Sequence, residues 1–228
     1  RLSADYYETD TEDIFLNDTF ETLSESGAIS DPVRFYFGKN GRRNRMMQLH
    51  GYAYDLAEGS LSLIISYFKD SNLAETLTQT QIDTLCKRLL NFLDEACNGD
   101  ISQFCDDSDE TIRVAAEMKS KLGASIENSE ILRIRLIIVS NAMLSSQVKS
   151  LKAGEFMGRP TEVNIWALER FYELKMSSMV EPLNITIANY GVAGIPCIKA
   201  DLGNVTSYEA YLAIIPGKLL ADIYLDYG

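Results

Sequence analysis

The sequence predicts an α/β or α+β domain: a mixed sheet that contains an antiparallel meander and has helices beside it. Two observations predict this class. The first is a run of three β-type segments joined by short turns, and the second is the alternation of helical and strand patterns after that run. The middle strands are strongly apolar, as expected for strands inside a packed core. We therefore expect a sheet buried among helices.

A helix and the meander come first in the chain. Residues 8–27 have apolar side chains near helical spacing before Gly27, which predicts an N-terminal helix with an acidic solvent face. Residues 31–55 alternate aromatic and polar residues around Asn40-Gly41, a dipeptide typical of tight turns, and so predict two paired strands. The segment "SLSLIISYF" (60–68) predicts the third strand of the meander.

Helices and one buried strand follow. Residues 76–99 have the clearest helical pattern, with Thr78 as the N-cap and a glutamine three residues later. Residues 108–122 predict a second helix, and residues 130–143 predict a strand that is buried toward its end. The segment "SSQVKSLKAGEF" (145–156) predicts a further helix that breaks at its glycine.

The last third of the chain alternates strand and helix patterns again. Residues 161–176 begin as a strand and become helical around Trp166. Three more strands and a closing helix are predicted over 181–188, 195–202, 207–216 and 217–228. There is no internal repeat, and the chain begins at Arg1 and stops directly after a helical pattern. We therefore expect one domain over residues 1–228, cut from a longer protein.

Charge and cysteine usage restrict the function. The formal net charge is −12. This charge disfavours nucleic-acid binding as the task of the domain as a whole, because binding a phosphate backbone requires a basic face. The four cysteines form no C-x-x-C pair and there is one histidine, so a zinc site is not expected. Reduced core cysteines predict the cytoplasm. No apolar run reaches the length of a membrane span, and no membrane partner is expected.

Four segments together resemble a known family. They are "HGYAYDLAEGSLSLIISYF", "VNIWALERFYEL", "GIPCIKADL" and "YEAYLAIIPGKLLADIYLDYG". In this order they resemble the N-terminal region of the AIPR family, the abortive infection phage resistance proteins, from about residue 10 to residue 228. The most specific part of the resemblance consists of Tyr208, Tyr211, Leu212, Pro216, Gly217, Leu220, Ala221 and Tyr224.

The resemblance implies a bacterial antiviral protein with a larger C-terminal part outside this chain. It also implies a relation to the restriction-endonuclease-like fold of PD-(D/E)xK nucleases. Such a nuclease places an aspartate on one strand and an acidic-x-lysine pair on the next, and the carboxylates hold Mg²⁺. In this chain the aspartate position is His50, and the paired position, Ile64 to Ser66, contains no charge.

Three functions remain open. The first, which we favour because those carboxylates are missing, is a non-catalytic scaffold or an interaction and regulatory module. It has no metal or cofactor, and its partners are the C-terminal part and other proteins. The second is a divergent Mg²⁺-dependent nuclease for DNA or RNA that uses Asp55, Glu58 and a lysine from elsewhere. The third is contact with nucleic acid or a partner through a basic hairpin tip, which consists of Lys39, Arg42, Arg43 and Arg45. The simpler interpretation of that tip is a charged turn that keeps a sheet edge soluble.

Overall fold

The computed structural model describes residues 11–71, 73, 75–105, 110–123, 126–148, 151–178, 185–199 and 211–227. Contacts divide the chain into two compact units, Arg1–Ser178 and Met179–Gly228. The single domain expected over residues 1–228 stays a prediction. None of the helices in the described ranges has both the length and the apolar character needed to cross a membrane.

A six-stranded mixed sheet forms the centre of the first unit. The strands of this unit are β1 (Val33–Asn40), β2 (Met46–Asp55), β3 (Ser60–Tyr67), β4 (Thr76–Leu77), β5 (Arg133–Ser140), β6 (Met143–Leu144), β7 (Lys152–Phe156) and β8 (Arg159–Trp166). The sheet order is β1-β2-β3-β5-β8-β7, and β4 pairs with β6 in a separate small sheet. Strands β1 to β3 form the antiparallel meander, β3, β5 and β8 run parallel, and β7 is antiparallel. The predicted fold class is confirmed.

Four helices accompany this sheet: α1 (Thr11–Glu25), α2 (Gln79–Asn98), α3 (Glu110–Leu122) and α4 (Leu168–Ser178). Helix α2 begins after the predicted cap, where the Thr78 N–H donates to Gln81 Oε1 at 2.7 Å. This bond satisfies a backbone donor at the helix start and fixes its first turn. The second unit contains the strand pair β9 (Cys197–Lys199) and β10 (Tyr211–Ala213), followed by helix α5 (Gly217–Tyr227).

The sheet of the first unit separates two hydrophobic clusters. Alternate residues of β3 point to opposite faces, so Leu63 joins the cluster that contains α2 and α3, whereas Ile64 joins the cluster that contains α1. Both side chains are fully buried. Trp166 also belongs to the α1 cluster and is buried. Helices on both faces of the sheet therefore explain why its middle strands are so apolar.

A buried arginine fixes the start of β8. Arg159 is completely buried, and its Nε donates to the carbonyl of Ile131 at 2.9 Å. Its other guanidinium nitrogens donate to the carbonyls of Met157 and Leu122. One side chain thereby joins the end of α3, the segment before β5 and the β7–β8 turn.

The predicted helix over residues 145–156 is wrong, because Lys152–Phe156 is strand β7. The two residues between β7 and β8, Met157 and Gly158, have φ values of 49° and 76°. Positive φ at both positions of a two-residue loop matches the twist of paired strands. The hairpin with β8 therefore prevails over the local helical pattern.

The turn predicted at Asn40-Gly41 is longer than two residues. Strand β2 starts only at Met46, and the intervening Arg43 and Asn44 both have φ of 57°. Predictions in the second unit are only partly within the described ranges, since residues 181–184, 200–202 and 207–210 lie outside them. Of the strand predicted over 181–188, the described end belongs to a 3₁₀ turn, Ile187–Tyr190.

Candidate functional site

The two ends of the β2–β3 hairpin contain the residues on which the functional hypotheses depend. The strand register pairs Gly51 with Ile64 and Asp55 with Ser60. His50 therefore lies toward the open end of the hairpin, next to Gly51, while Asp55 lies at its turn. These two ends have different chemistry.

His50 is a buried group at the open end. Only 5% of its surface is exposed, and its Nδ1 accepts the backbone N–H of Ser66 at 3.1 Å. Because Nδ1 is an acceptor, the proton of the neutral ring must be on Nε2. That nitrogen lies 4.0 Å from Glu12 Oε1 on α1, and the ring of Tyr36 packs 5.3 Å away between centroids.

The surroundings of His50 keep its imidazole neutral. The pKa of His50 is lowered from 6.5 to about 4, chiefly by burial and to a lesser extent by the nearby Arg34, while Asp13 acts in the opposite direction. Ile64, at the position of the acidic-x-lysine pair, is fully buried in the α1 cluster. The places at which the resemblance implies metal-binding carboxylates therefore hold a neutral histidine and an aliphatic side chain.

The turn end of the hairpin opens into a cleft of about 380 Å³. We call it the charged cleft, and it is lined by Gly27, Ala28, Ser30, Asp55, Glu58, Arg133, Arg135, Glu162 and Asn164. It lies on the sheet face that also packs against α1, beyond the part that the apolar residues of this helix cover. Its lining is almost entirely polar, so it differs from the apolar pockets that hold most small ligands.

Asp55 and Glu58 have separate partners within the charged cleft. Asp55 Oδ1 accepts the backbone N–H of Glu58 at 3.0 Å, and its Oδ2 accepts the Ser30 hydroxyl at 3.4 Å. The Glu58 carboxylate forms an ion pair with Arg133. Over the ranges that the structure describes, no three or more histidine, cysteine, aspartate or glutamate side chains are grouped so that they could hold a metal ion.

Four cleft residues on β5 and β8 were not predicted from the sequence: Arg133, Arg135, Glu162 and Asn164. They come together because β5 and β8 are neighbours in the sheet, with Arg135 directly opposite Glu162. A signal for them does exist, because "RIR" and "EVN" place polar residues at period two at the start of otherwise apolar strands. Their convergence depends on strand order.

The basic hairpin tip lies between β1 and β2 and is attached to α2. Arg42 Nε lies 3.0 Å from Glu95 Oε1, and Arg45 lies 3.1 Å from Asp94 Oδ2. Glu95 is only 2% exposed, and Arg42 is its cationic partner. All four basic side chains are exposed, but only Arg42 and Arg45 form ion pairs with α2; within the described residues Lys39 and Arg43 form none.

Comparison with known proteins identifies the family. The family model for the abortive infection phage resistance protein N-terminal domain matches residues 15–173. The chain belongs to this family. The AIPR match contains the hairpin, the charged cleft and the basic tip, and it identifies the domain as a module of a phage-defence protein. It ends before residues 208–224, the segment of strongest resemblance in the sequence. No curated protein and no solved structure matches the chain.

Proposed function

We propose that this AIPR domain is a non-catalytic scaffold or interaction module that positions or regulates the C-terminal part of a cytoplasmic bacterial phage-defence protein. The observation that supports it most directly is the state of His50. At the position where a related nuclease would place its metal-binding aspartate, this chain has a buried imidazole that accepts the Ser66 N–H.

The order of elements supports a relation to the restriction-endonuclease-like fold. The meander β1–β3 is followed by α2 and then by β5, which pairs parallel to β3. This is the order of the nuclease core that the resemblance implies. In such a core the open end of the β2–β3 hairpin is the site of metal chemistry, so its composition is the relevant test of catalysis.

The open end is poorly suited to Mg²⁺. This ion prefers oxygen ligands, with carboxylates supplying the negative charge. His50 offers a nitrogen that is already engaged, and Ile64 offers no ligand atom. Glu12 Oε1 lies 4.0 Å from His50 Nε2, and a carboxylate with a neutral imidazole does not form a two-metal site.

The alternative nuclease would use Asp55 and Glu58 at the turn. Its difficulty is electrostatic, because the Glu58 carboxylate is already paired with Arg133, and a metal ion would have to displace that guanidinium. The Asp55 carboxylate already accepts the Glu58 N–H and thereby stabilises the hairpin turn. Nucleic-acid contact through the basic tip would have to compete with the ion pairs of Arg42 and Arg45. We therefore favour protein contact.

A binding experiment tests the scaffold role. This domain and the remaining C-terminal part of a full-length family member are produced as separate chains and mixed, and their masses are measured by size-exclusion chromatography with light scattering. We expect a complex that persists at high salt if apolar burial dominates the contact. Two chains that elute separately at every salt concentration would contradict a positioning role for the domain.

A further inference from the structure

The charged cleft contains side chains that the proposed function does not use. Within the described chain, Arg135 has no ion pair and donates only to the carbonyl of Ala28 at 3.2 Å. Glu162 likewise has no ion pair in that part, and Asp55 accepts only from neutral groups. Once the Glu58–Arg133 pair is set aside, two negative charges and one positive charge remain available.

The part of the sheet next to the cleft has unused hydrogen-bonding capacity as well. Asp55, Ser60 and Arg133 are successive register partners, so their side chains share the cleft face of the sheet. Ser60 Oγ and Arg133 Nε are both buried and have no hydrogen-bond partner among the described residues. Buried polar atoms in proteins are normally satisfied. Of these two residues Arg133 lines the cleft, so the wall of the cleft contains a polar donor that has no partner among the described residues.

We propose that the charged cleft binds a free basic amino acid, L-arginine or L-lysine. Its carboxylate pairs with Arg135, and its two cationic groups pair with Asp55 and Glu162. A ligand with two positive charges and one negative charge is the complement of the available charges in the cleft. This proposal is independent of the scaffold role.

The dimensions of the cleft suit such a ligand. Asp55 is on β2 and Glu162 is on β8, three strand spacings apart, or about 14 Å between backbones. Both carboxylates line the cleft, and an extended arginine or lysine has cationic groups at opposite ends. The cavity of about 380 Å³ is large enough for either amino acid. A polyamine is the poorer match, because its charge is entirely positive and Arg135 would repel it.

Isothermal titration calorimetry on the intact chain tests the assignment with three probes. We expect saturable binding of L-arginine. We expect L-arginine amide, which lacks the carboxylate, and Nα-acetyl-L-arginine, which lacks the α-ammonium, each to bind about tenfold more weakly or worse, because each loses one charge-assisted contact. Nα-acetyl-L-arginine also represents a peptide that ends in arginine. Equal affinity for this probe would overturn the assignment of a free amino acid.

Matched variants locate the binding. Glu162→Gln, Asp55→Asn and Arg135→Gln should each weaken L-arginine binding at least about tenfold, whereas Glu21→Gln, an exposed carboxylate on α1, should leave it unchanged. Asp55→Asn keeps the oxygen that accepts the Glu58 N–H, and circular dichroism melting verifies that every variant is folded. Absence of saturable heat at up to about 10 mM L-arginine and L-lysine with folded wild-type protein would overturn the proposal. Binding of spermidine in preference to both amino acids would also overturn it.

Discussion

His50 should make this domain less stable on acidification. Burial and the nearby Arg34 hold its folded-state pKa at about 4, whereas the ordinary value is 6.5. Between these two values the unfolded chain binds a proton that the folded chain does not, so stability falls as the pH is lowered through this window. The loss amounts to about 2 kcal/mol at pH 5 and about 3 kcal/mol once the pH is well below 4.

The assay is urea unfolding of the wild type and of His50→Asn at about pH 7.5 and about pH 5. Carboxylates contribute to the pH dependence of both proteins, so the difference between them isolates His50. Asparagine offers an oxygen in the place of Nδ1 and can still accept the Ser66 N–H. We expect the wild type to lose about 2 kcal/mol more than the variant between the two pH values.

The single histidine of the chain permits a direct check. Its imidazole signal, followed by nuclear magnetic resonance, should titrate with a midpoint near 4 in the folded protein. A midpoint near 6.5, or equal losses of stability in the wild type and in His50→Asn, would refute the account of a buried neutral imidazole.

Three further measurements test the packing of the first unit. Replacing Arg159 with methionine should lower the free energy of unfolding by about 3 kcal/mol, because buried carbonyls lose their donor. Urea unfolding measures this change, and a loss below about 0.5 kcal/mol would contradict the role of Arg159 in joining the three segments. In the same assay Arg42→Ala should lower the free energy of unfolding by about 1–3 kcal/mol, since Glu95 is left buried without its cation. Lys39→Ala should leave that free energy nearly unchanged, and equal effects of the two substitutions would contradict the Arg42–Glu95 ion pair. Burial raises the pKa of the Cys86 thiol to about 11, so a thiol reagent should modify this residue only on unfolding. Peptide mass mapping distinguishes Cys86 from the exposed Cys197, and rapid modification of Cys86 itself in the folded protein would contradict its burial.

Local patterns in the sequence were sufficient for most elements of the first unit. The helix predicted over 76–99 is α2 (Gln79–Asn98), because its cap and its apolar stripe are both local signals. The meander followed from strand periodicity. The helix predicted over residues 145–156 was wrong because the local pattern did not decide the structure there. Strand β7 is determined by its pairing with β8 across a two-residue turn.

The two ends of the hairpin differed in how far they could be predicted. The absence of carboxylates at His50 and Ile64 was visible in the sequence, but the burial of His50 depends on α1, which is distant in the chain. The charged cleft could be predicted only in part from the sequence, because Asp55 and Glu58 were recognised while Arg133 and Glu162 were not. Those side chains meet only through the parallel order β3-β5-β8. Periodicity within one strand does not specify that order.

Cleavage of nucleic acid is the most direct test of the central claim, which is that the domain is not catalytic. The purified chain is incubated with single- and double-stranded DNA and RNA in Mg²⁺ or Mn²⁺, with a chelator control and with an Asp55→Ala, Glu58→Ala variant. We predict no chelator-sensitive cleavage of any substrate. Chelator-sensitive cleavage by the wild type that disappears in the double variant would contradict the claim and would make the turn end of the hairpin a nuclease site.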